Sequence, residues 1–274
     1  MESGDRLRVD MALVSRGLAP SRAQAQALIR QGLVTLNGAP LSKASLRVGE
    51  QDRLEVTGQI HPYVSRGGLK LEKALSVFNV DPRGQVCMDI GASTGGFTDV
   101  LLQNGAARIY AIDVGTGQLD ERLREDPRVI SMEHTNARSL NAGMFPEQPR
   151  LAVMDVSFIS IQLILPSAFA VLGEEGRMIS LIKPQFEAGP EHLGKKGVVS
   201  DPKAHEDVLC RIVGFVRGLG WRVRALDYSP VTGSTGNLEF LGDFLPDAQC
   251  PADSPSREEI RAIVREAHRR LRDR

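Results

Sequence analysis

Apolar and polar positions set two different rhythms along this chain. Before residue 58, Leu7, Met11 and Val14 recur at helical spacing and the run stops at Gly17. Ser21, with Gln24 three residues on, reads as a capped helix start, and Ala25, Leu28 and Ile29 give that helix an apolar stripe ending at Gly32. The apolar run 33–36 then meets Asn37-Gly38, a pair that tolerates the positive φ angles of a two-residue hairpin. Residues 53–57 alternate as one further strand. Two short helices and a small sheet bury only a marginal core.

Beyond 64 the rhythm becomes an alternation of helix and strand. A helix carries Leu71, Ala74, Leu75 and Phe78 at core spacing, and strand-like runs occupy 86–90, 108–113, 128–132, 151–155 and 177–182. Helical stretches, including 161–172 and 202–219, separate them, which predicts a parallel sheet with helices on both faces. The late runs 222–228 and 237–244 suit an antiparallel hairpin at the sheet edge. Past a Pro-, Asp- and Ser-rich segment, Ile260, Ile263, Val264, Ala267 and Leu271 predict a docked terminal helix whose other face is mostly arginine, from Arg257 to Arg274. The expected organisation is a small α+β domain at 1–58, a linker at 59–64 containing His61-Pro62, and an α/β Rossmann-like domain at 65–274.

Composition narrows the partners. Lys plus Arg and Asp plus Glu both number 34 in 274 residues, so the whole chain is no generic polyanion binder. Locally the balance differs: Arg6, Arg8, Arg16, Arg22, Arg30, Lys43 and Arg47 are opposed only by Asp10, which points to nucleic acid. Cys87, Cys210 and Cys250 are widely spaced and His134, His192 and His205 lack ligand spacing, so neither a metal site nor a disulfide framework is expected. The first residues lack the apolar core of a signal peptide, and the apolar stretch 159–172 is interrupted by Ser160, Gln162, Pro166 and Ser167. A cytoplasmic protein without a membrane partner is expected; the oligomeric state is left open.

The chemistry gathers at Asp89-Ile-Gly91-Ala-Ser93-Thr-Gly95-Gly96-Phe97, a glycine turn between a strand and a helix. Such a turn admits a ligand against the main chain and presents N–H groups at a helix start. It fits a nicotinamide fingerprint poorly. It matches Gly-x-Ser-x-Gly, the elbow of a serine hydrolase, with Ser93 as nucleophile and His205 or His268 as partner. It also matches an S-adenosylmethionine loop, with Asp89 holding the loop or accepting from the ligand's ammonium group. The next strand again ends in an acid, Asp113, placed to reach the two hydroxyls of a ribose, and two such acids favour the cofactor. Asn136, after the third strand, falls where the adenine would lie. Three further residues stand at or near strand ends: Asp155, Lys183 and Glu239. A lysine directly after an apolar strand is costly unless paired, and Asp155, Glu239 and Lys70 are the candidates to form its cluster.

Two resemblances cover nearly the whole chain. Arg6-Leu-Arg-Val-Asp10, Gly17-Leu-Ala-Pro-Ser21-Arg22, Leu28-Ile-Arg-Gln-Gly32, Val34-Thr-Leu-Asn37-Gly38 and Lys43 closely resemble the S4 RNA-binding domain. That resemblance implies phosphate contacts from Arg6, Arg8, Arg16, Arg22 and Lys43, which position an RNA without reading it. Ser65-Arg-Gly-Gly-Leu-Lys70, the glycine turn, Asp155-Val-Ser-Phe158-Ile-Ser160, Lys183-Pro-Gln-Phe-Glu187 and Gly236-Asn-Leu-Glu239 resemble the FtsJ-type 2′-O-ribose RNA methyltransferases. Together they make the chain similar to the TlyA (hemolysin A) family. The resemblance implies S-adenosylmethionine as methyl donor, ribosomal RNA or ribosomal subunits as partner with cytidine as target, and a catalytic tetrad at Lys70, Asp155, Lys183 and Glu239. In that tetrad Lys183 accepts the 2′-hydroxyl proton if neutral, or orients the hydroxyl and stabilises oxyanion character if charged. Lys196 falls in a loop on the substrate side. The family's Arg-x-Trp-Val ahead of Ser65 is replaced here by His61-Pro-Tyr63-Val64, which puts any interdomain switching by that tetrapeptide in doubt. Two other functions remain open at this point: the hydrolase, and a non-catalytic RNA-binding or ribosome-assembly protein. A membrane-lysing activity has only the family's name behind it.

Overall fold

The computed structural model describes residues 6–58, 61–250 and 253–271, and the chain divides into two compact units, Met1–Arg66 and Gly67–Arg274. Arg272, Arg274 and part of the linker fall outside the described residues.

The first unit runs β1 (Leu7–Arg8), α1 (Val9–Ser15), α2 (Arg22–Arg30), β2 (Val34–Leu36), β3 (Ala39–Pro40), β4 (Arg47–Val48) and β5 (Leu54–Val56). Ser21 caps α2 by accepting from the Gln24 amide at 3.2 Å. Asn37 and Gly38, at φ 50° and 81°, make the tight connection between β2 and β3, and β2 also pairs with β5. One expectation inverts. Leu7, Met11 and Val14 are exposed, whereas Val9, Ala12 and Leu13 enter the core. Two interleaved sets share helical spacing here, and β1, by pairing with β4, fixes which set faces inward. The segment around 61 is not a bare tether: His61 and Tyr63 are buried, and Gln31 donates to the His61 carbonyl at 2.9 Å.

The second unit runs α3 (Gly68–Val77), β6 (Val86–Ile90), α4 (Gly96–Gln103), β7 (Arg108–Ile112), α5 (Glu121–Arg124), β8 (Val129–Met132), β9 (Leu151–Met154), α6 (Leu165–Leu172), β10 (Arg177–Ile182), α7 (Pro184–Glu187), α8 (Pro202–Gly218), β11 (Trp221–Tyr228), β12 (Phe240–Pro246) and α9 (Arg257–Leu271). Its seven-stranded sheet has the order β11-β12-β10-β9-β6-β7-β8, with β12 antiparallel to both neighbours and the remaining pairs parallel. Met88, Ile90, Tyr110, Ile112, Ala152, Met154, Met178 and Ile182 share one core with α6, α8 and α9. The residues between them (Cys87, Ile109, Leu151, Val153, Ile179, Leu181) are buried as well, so the sheet is covered on both faces. The helix expected over 161–172 is divided: a 3-10 turn at Ile161–Leu163 precedes α6, whose second residue is Pro166. Proline suits the first turn of a helix and disfavours its interior, so the break falls there. Helix α9 docks through Ile260, Val264 and Ala267.

This order puts the topological switch point at β6, which has β7 on one side and β9 on the other. Ligands of open α/β sheets bind outside the carboxyl ends of the strands at such a point.

Candidate active site

A cavity of about 560 Å³ lies at the switch point, inside the range typical of small-molecule sites. It is lined by Gly91 and Ser93 after β6, Asp113 and Val114 after β7, Asn136 and Arg138 after β8, and Asp155 to Ile159 after β9. Gly91, at φ 83°, is required twice over: a Cβ there would stand 2.9 Å from the Asp155 carbonyl oxygen. Glycine thus lets the first loop pass the fourth. Gly95, in the left-handed region, opens α4; a Cβ on it would collide with Leu119 and Leu123.

The expected cofactor residues separate into two groups. Gly91, Ser93, Asp113, Asn136 and Asp155 line the cavity. Asp89, Gly95, Gly96 and Phe97 lie behind it, forming the turn and its packing. Phe97 is a core residue, and Asp89 is fully buried, where it accepts a 2.7 Å hydrogen bond from Thr98 Oγ1 at the start of α4. Burial pushes the Asp89 carboxyl up to about 7 against the Thr98 hydrogen bonds, and its Oδ1 has no protein partner. Asp113 accepts from the amides of Ser93 (2.8 Å) and Gly115 (2.7 Å), so it shapes the loop as well as facing the cavity. Asn136 Oδ1 caps a short turn through the Arg138 amide.

At the β9 edge of the cavity the four expected polar residues meet. Lys70, from α3, stands 2.7 Å from Glu239 Oε2 and 3.1 Å from Asp155 Oδ2. Lys183, the residue after β10, stands 2.6 Å from Asp155 Oδ1 and donates to Ser157 Oγ at 2.9 Å. Glu239 immediately precedes β12 rather than sitting within it. The arrangement corrects the expected pairing. Lys70, not Lys183, is the lysine held by two acids, and Lys183 shares Asp155 while taking a hydroxyl, Ser157, as its second neighbour. Burial by itself would lower the Lys70 pKa, but Asp155 and Glu239 raise it above the ordinary lysine value. Burial would likewise raise Asp155, and the two ammonium groups hold it below the ordinary aspartate value instead.

Sequence reading gave Ser157 and Phe158 no role of their own. Ser157 was legible only as part of the Asp155-Val-Ser-Phe motif. Phe158 sits at the cavity with φ 64° and a 91% exposed side chain, 5.3 Å from the Phe186 ring.

The hydrolase arrangement is not assembled. Ser93 Oγ donates to Gln118 Oε1 at 3.2 Å, while His205 and His268 bond each other at 3.0 Å between α8 and α9. No group of His, Cys, Asp and Glu among the described residues could hold a metal ion, and no helix among them is long and apolar enough to cross a membrane.

In the first unit Arg8 and Arg22 converge on Asp10. Their Nε atoms lie 3.0 and 2.9 Å from its carboxylate, and Gln26 donates to it at 2.8 Å. Arg16 donates to the carbonyls of Asp52 and Gly49. Lys43 is exposed. In the second unit Lys196 is exposed within the turn 195–197.

A sheet of this order, with a glycine turn after its first strand opening on a cavity at the switch point, defines a Rossmann-like methyltransferase, and S-adenosylmethionine is the methyl donor of that class. The residues present fit such a donor: a backbone cleared by Gly91, acids at 113 and 155, and an apolar wall of Ile112, Val156, Ile159 and Ile164.

Comparison with known proteins makes the assignment narrower. Residues 63–242 match the FtsJ-like methyltransferase family and residues 7–54 the S4 domain. The chain is 46% identical to the candidate rRNA methyltransferase YqxC of Bacillus subtilis, over 97% of this chain and 95% of that one. It is 43% identical to the 16S/23S rRNA (cytidine-2′-O)-methyltransferase TlyA of Mycobacterium tuberculosis, over 86% and 88%. Among solved structures, a Streptococcus thermophilus protein assigned as a hemolysin superposes with a TM-score of 0.78 at 43% identity, covering 98% of both chains. The chain belongs to the FtsJ-like methyltransferase family, in the branch that joins an S4 domain to the catalytic unit.

Proposed function

We propose that this protein methylates ribose 2′-hydroxyls of ribosomal RNA in the cytoplasm, with cytidine as the target nucleoside. The observation that carries the reading is Lys183 beside Asp155 at the edge of the cavity floored by Gly91. The relatives named as rRNA (cytidine-2′-O)-methyltransferases support the substrate class.

A ribose hydroxyl is a poor nucleophile at neutral pH, so it must lose its proton as it attacks. The bound donor supplies an electrophilic methyl group on a sulfonium. Lys183 takes the hydroxyl proton when its amine is neutral, and orients the hydroxyl and stabilises the developing oxyanion when it is charged, with Asp155 and Ser157 fixing its Nζ at the cavity edge. Lys70 and Glu239 complete a cluster of two acids and two bases, in which Lys70 neutralises the acid that Lys183 does not reach. Positioning of the hydroxyl in line with the methyl group contributes the rest of the acceleration. The S4 domain supplies sequence-independent contacts to folded RNA through Arg6, Arg8, Arg16, Arg22 and Lys43, and Lys196 adds one from the catalytic unit.

The test is a map of 2′-O-methylation in ribosomal RNA from cells with and without the protein. At least one cytidine should lose its methyl group in its absence and regain it on complementation; identical maps would refute the reading.

A further inference from the structure

The loop carrying Asp155 has an unusual construction. It leaves β9 at Met154 and runs to the 3-10 turn at Ile161–Leu163. Among the described residues no hydrogen bond holds the amides of Val156, Ser157, Phe158 or Ile159, and Phe158 adopts a left-handed backbone that a phenylalanine seldom takes. Yet all four line the cavity, and Ser157 contacts Lys183. A segment without its own ladder needs its ends fixed from outside.

The near end is fixed by the sheet, where the Asp155 amide donates to the Ile90 carbonyl at 3.1 Å. At the far end stands the buried carboxylate of Glu187. Its Oε1 accepts from the Ile161 amide at 2.7 Å; its Oε2 accepts from Ser160 Oγ at 2.7 Å and Gln162 Nε2 at 3.1 Å. Ser160 Oγ in turn accepts from the Gln162 amide, capping the 3-10 turn. Glu187 closes α7, the short helix that Lys183 opens, and its own carbonyl accepts from Arg211 of α8 at 2.7 Å.

One side chain therefore ties the Asp155 loop to the Lys183 helix on the side away from the reacting groups. We propose that Glu187 is a positioning residue for methyl transfer: it sets the distance of Asp155 and Ser157 from Lys183 by clamping the far end of their loop. This rests on the methylation reading given above. It also explains why Ser160 and Glu187 end the two sequence motifs that contain Asp155 and Lys183: they are partners across the site.

Glu187→Ala removes three acceptor contacts and strands the Ile161 amide. Glu187→Gln can keep them, because its carbonyl oxygen takes the Ile161 amide, its NH2 donates to Ser160 Oγ, and the Gln162 amide can turn to present oxygen. Ser160→Ala combined with Gln162→Ala loosens the clamp from the other side without altering α7.

The experiment is steady-state methylation by the full chain, with S-adenosylmethionine and ribosomal subunits from cells lacking the protein. Lys183→Ala serves as the reference. Glu187→Ala should lower kcat about a hundredfold, the cost of a misplacement near 1 Å, with KM for the RNA within about threefold of wild type. The paired Ser160/Gln162 variant should lose about tenfold or more, and Glu187→Gln should keep about half of kcat or better. A Glu187→Ala kcat within about threefold of wild type, or a folded Glu187→Gln as slow as Glu187→Ala, overturns the proposal. If Glu187→Ala does not fold, the Ser160/Gln162 pair decides alone, and unchanged kcat overturns it. Full turnover by Lys183→Ala would instead reject the methylation mechanism itself, so the two failures are distinguishable.

Discussion

Lys70 Nζ stands 2.7 Å from Glu239 Oε2, closing an ion cluster that joins helix α3 to the strand end before β12. The pair is nearly buried, and Lys70 also reaches Asp155. Removing that ammonium leaves the buried Glu239 carboxylate without its cation while Asp155 keeps Lys183, which costs about 3–5 kcal/mol. Lys70→Met should lose that much stability at pH 7 in urea unfolding, with the slope of the transition unchanged. The Lys70 pKa is raised, so its contribution is complete below the unfolded value and is lost as pH rises through the folded one. That of Asp155 is lowered, so its contribution is complete above the unfolded value and is lost as pH falls through the folded one. The difference between wild type and variant should therefore stay flat from about pH 5 to 9 and narrow outside that window.

Asp89 behaves in the opposite sense. Its folded pKa, pushed up to about 7 by burial, lies above the unfolded one, so ionisation in the folded state opposes folding. The penalty is absent below the unfolded value near pH 4, grows between there and about 7, and is complete above. Asp89→Asn keeps the acceptor for Thr98 and removes the charge. It should raise stability by up to about 4 kcal/mol at pH 8, a gain that disappears by about pH 4, read from thermal or urea unfolding at both pH values.

Gly91 and Gly38 share a left-handed backbone but not their surroundings. A Cβ at 91 would meet the Asp155 carbonyl at 2.9 Å, whereas one at 38 meets nothing within 4 Å. Gly38→Ala should cost only the conformational strain, about 1 kcal/mol. Gly91→Ala should in addition displace the Asp155 loop and weaken S-adenosylmethionine binding by about tenfold or more, a 1.4 kcal/mol difference measurable by calorimetry.

The basic residues of the S4 domain divide by what they already hold. Arg22 is paired with buried Asp10, whereas Lys43 is exposed. Lys43→Glu should weaken RNA binding and reduce its salt dependence at unchanged thermal stability. Arg22→Glu should weaken binding and also lower the melting temperature, because it places a like charge against Asp10. Equal melting behaviour of the two variants would contradict this division.

Much of the architecture was legible because its signals are local. The apolar runs leading to Asp113, Asp155 and Lys183 marked three strand ends by composition alone, whereas Asp89 lies inside a strand that continues to Ile90; Asn37-Gly38 and Ser21 marked a turn and a cap. The site was legible as a set of residues but not as a set of pairs. Which acid Lys183 shares, and that Ser157 is its other neighbour, depends on how the loops after β9 and β10 cross, and no sequence spacing encodes that. The face of α1 was misread for a similar reason: Leu7, Met11 and Val14 are as periodic as Val9, Ala12 and Leu13, and only the pairing of β1 with β4 distinguishes them. The placement of Phe158 was not legible, because an exposed aromatic in a left-handed backbone contradicts both its hydropathy and its propensity.

The most direct test of the account is methyl transfer to ribosomal subunits by Lys183→Ala alongside its affinity for S-adenosylmethionine. The prediction is a loss of turnover of about 10² or more, in the range of general-base assistance, with cofactor affinity within about threefold of wild type. Near-normal turnover would contradict it, because no other lysine of the cluster contacts both Asp155 and Ser157.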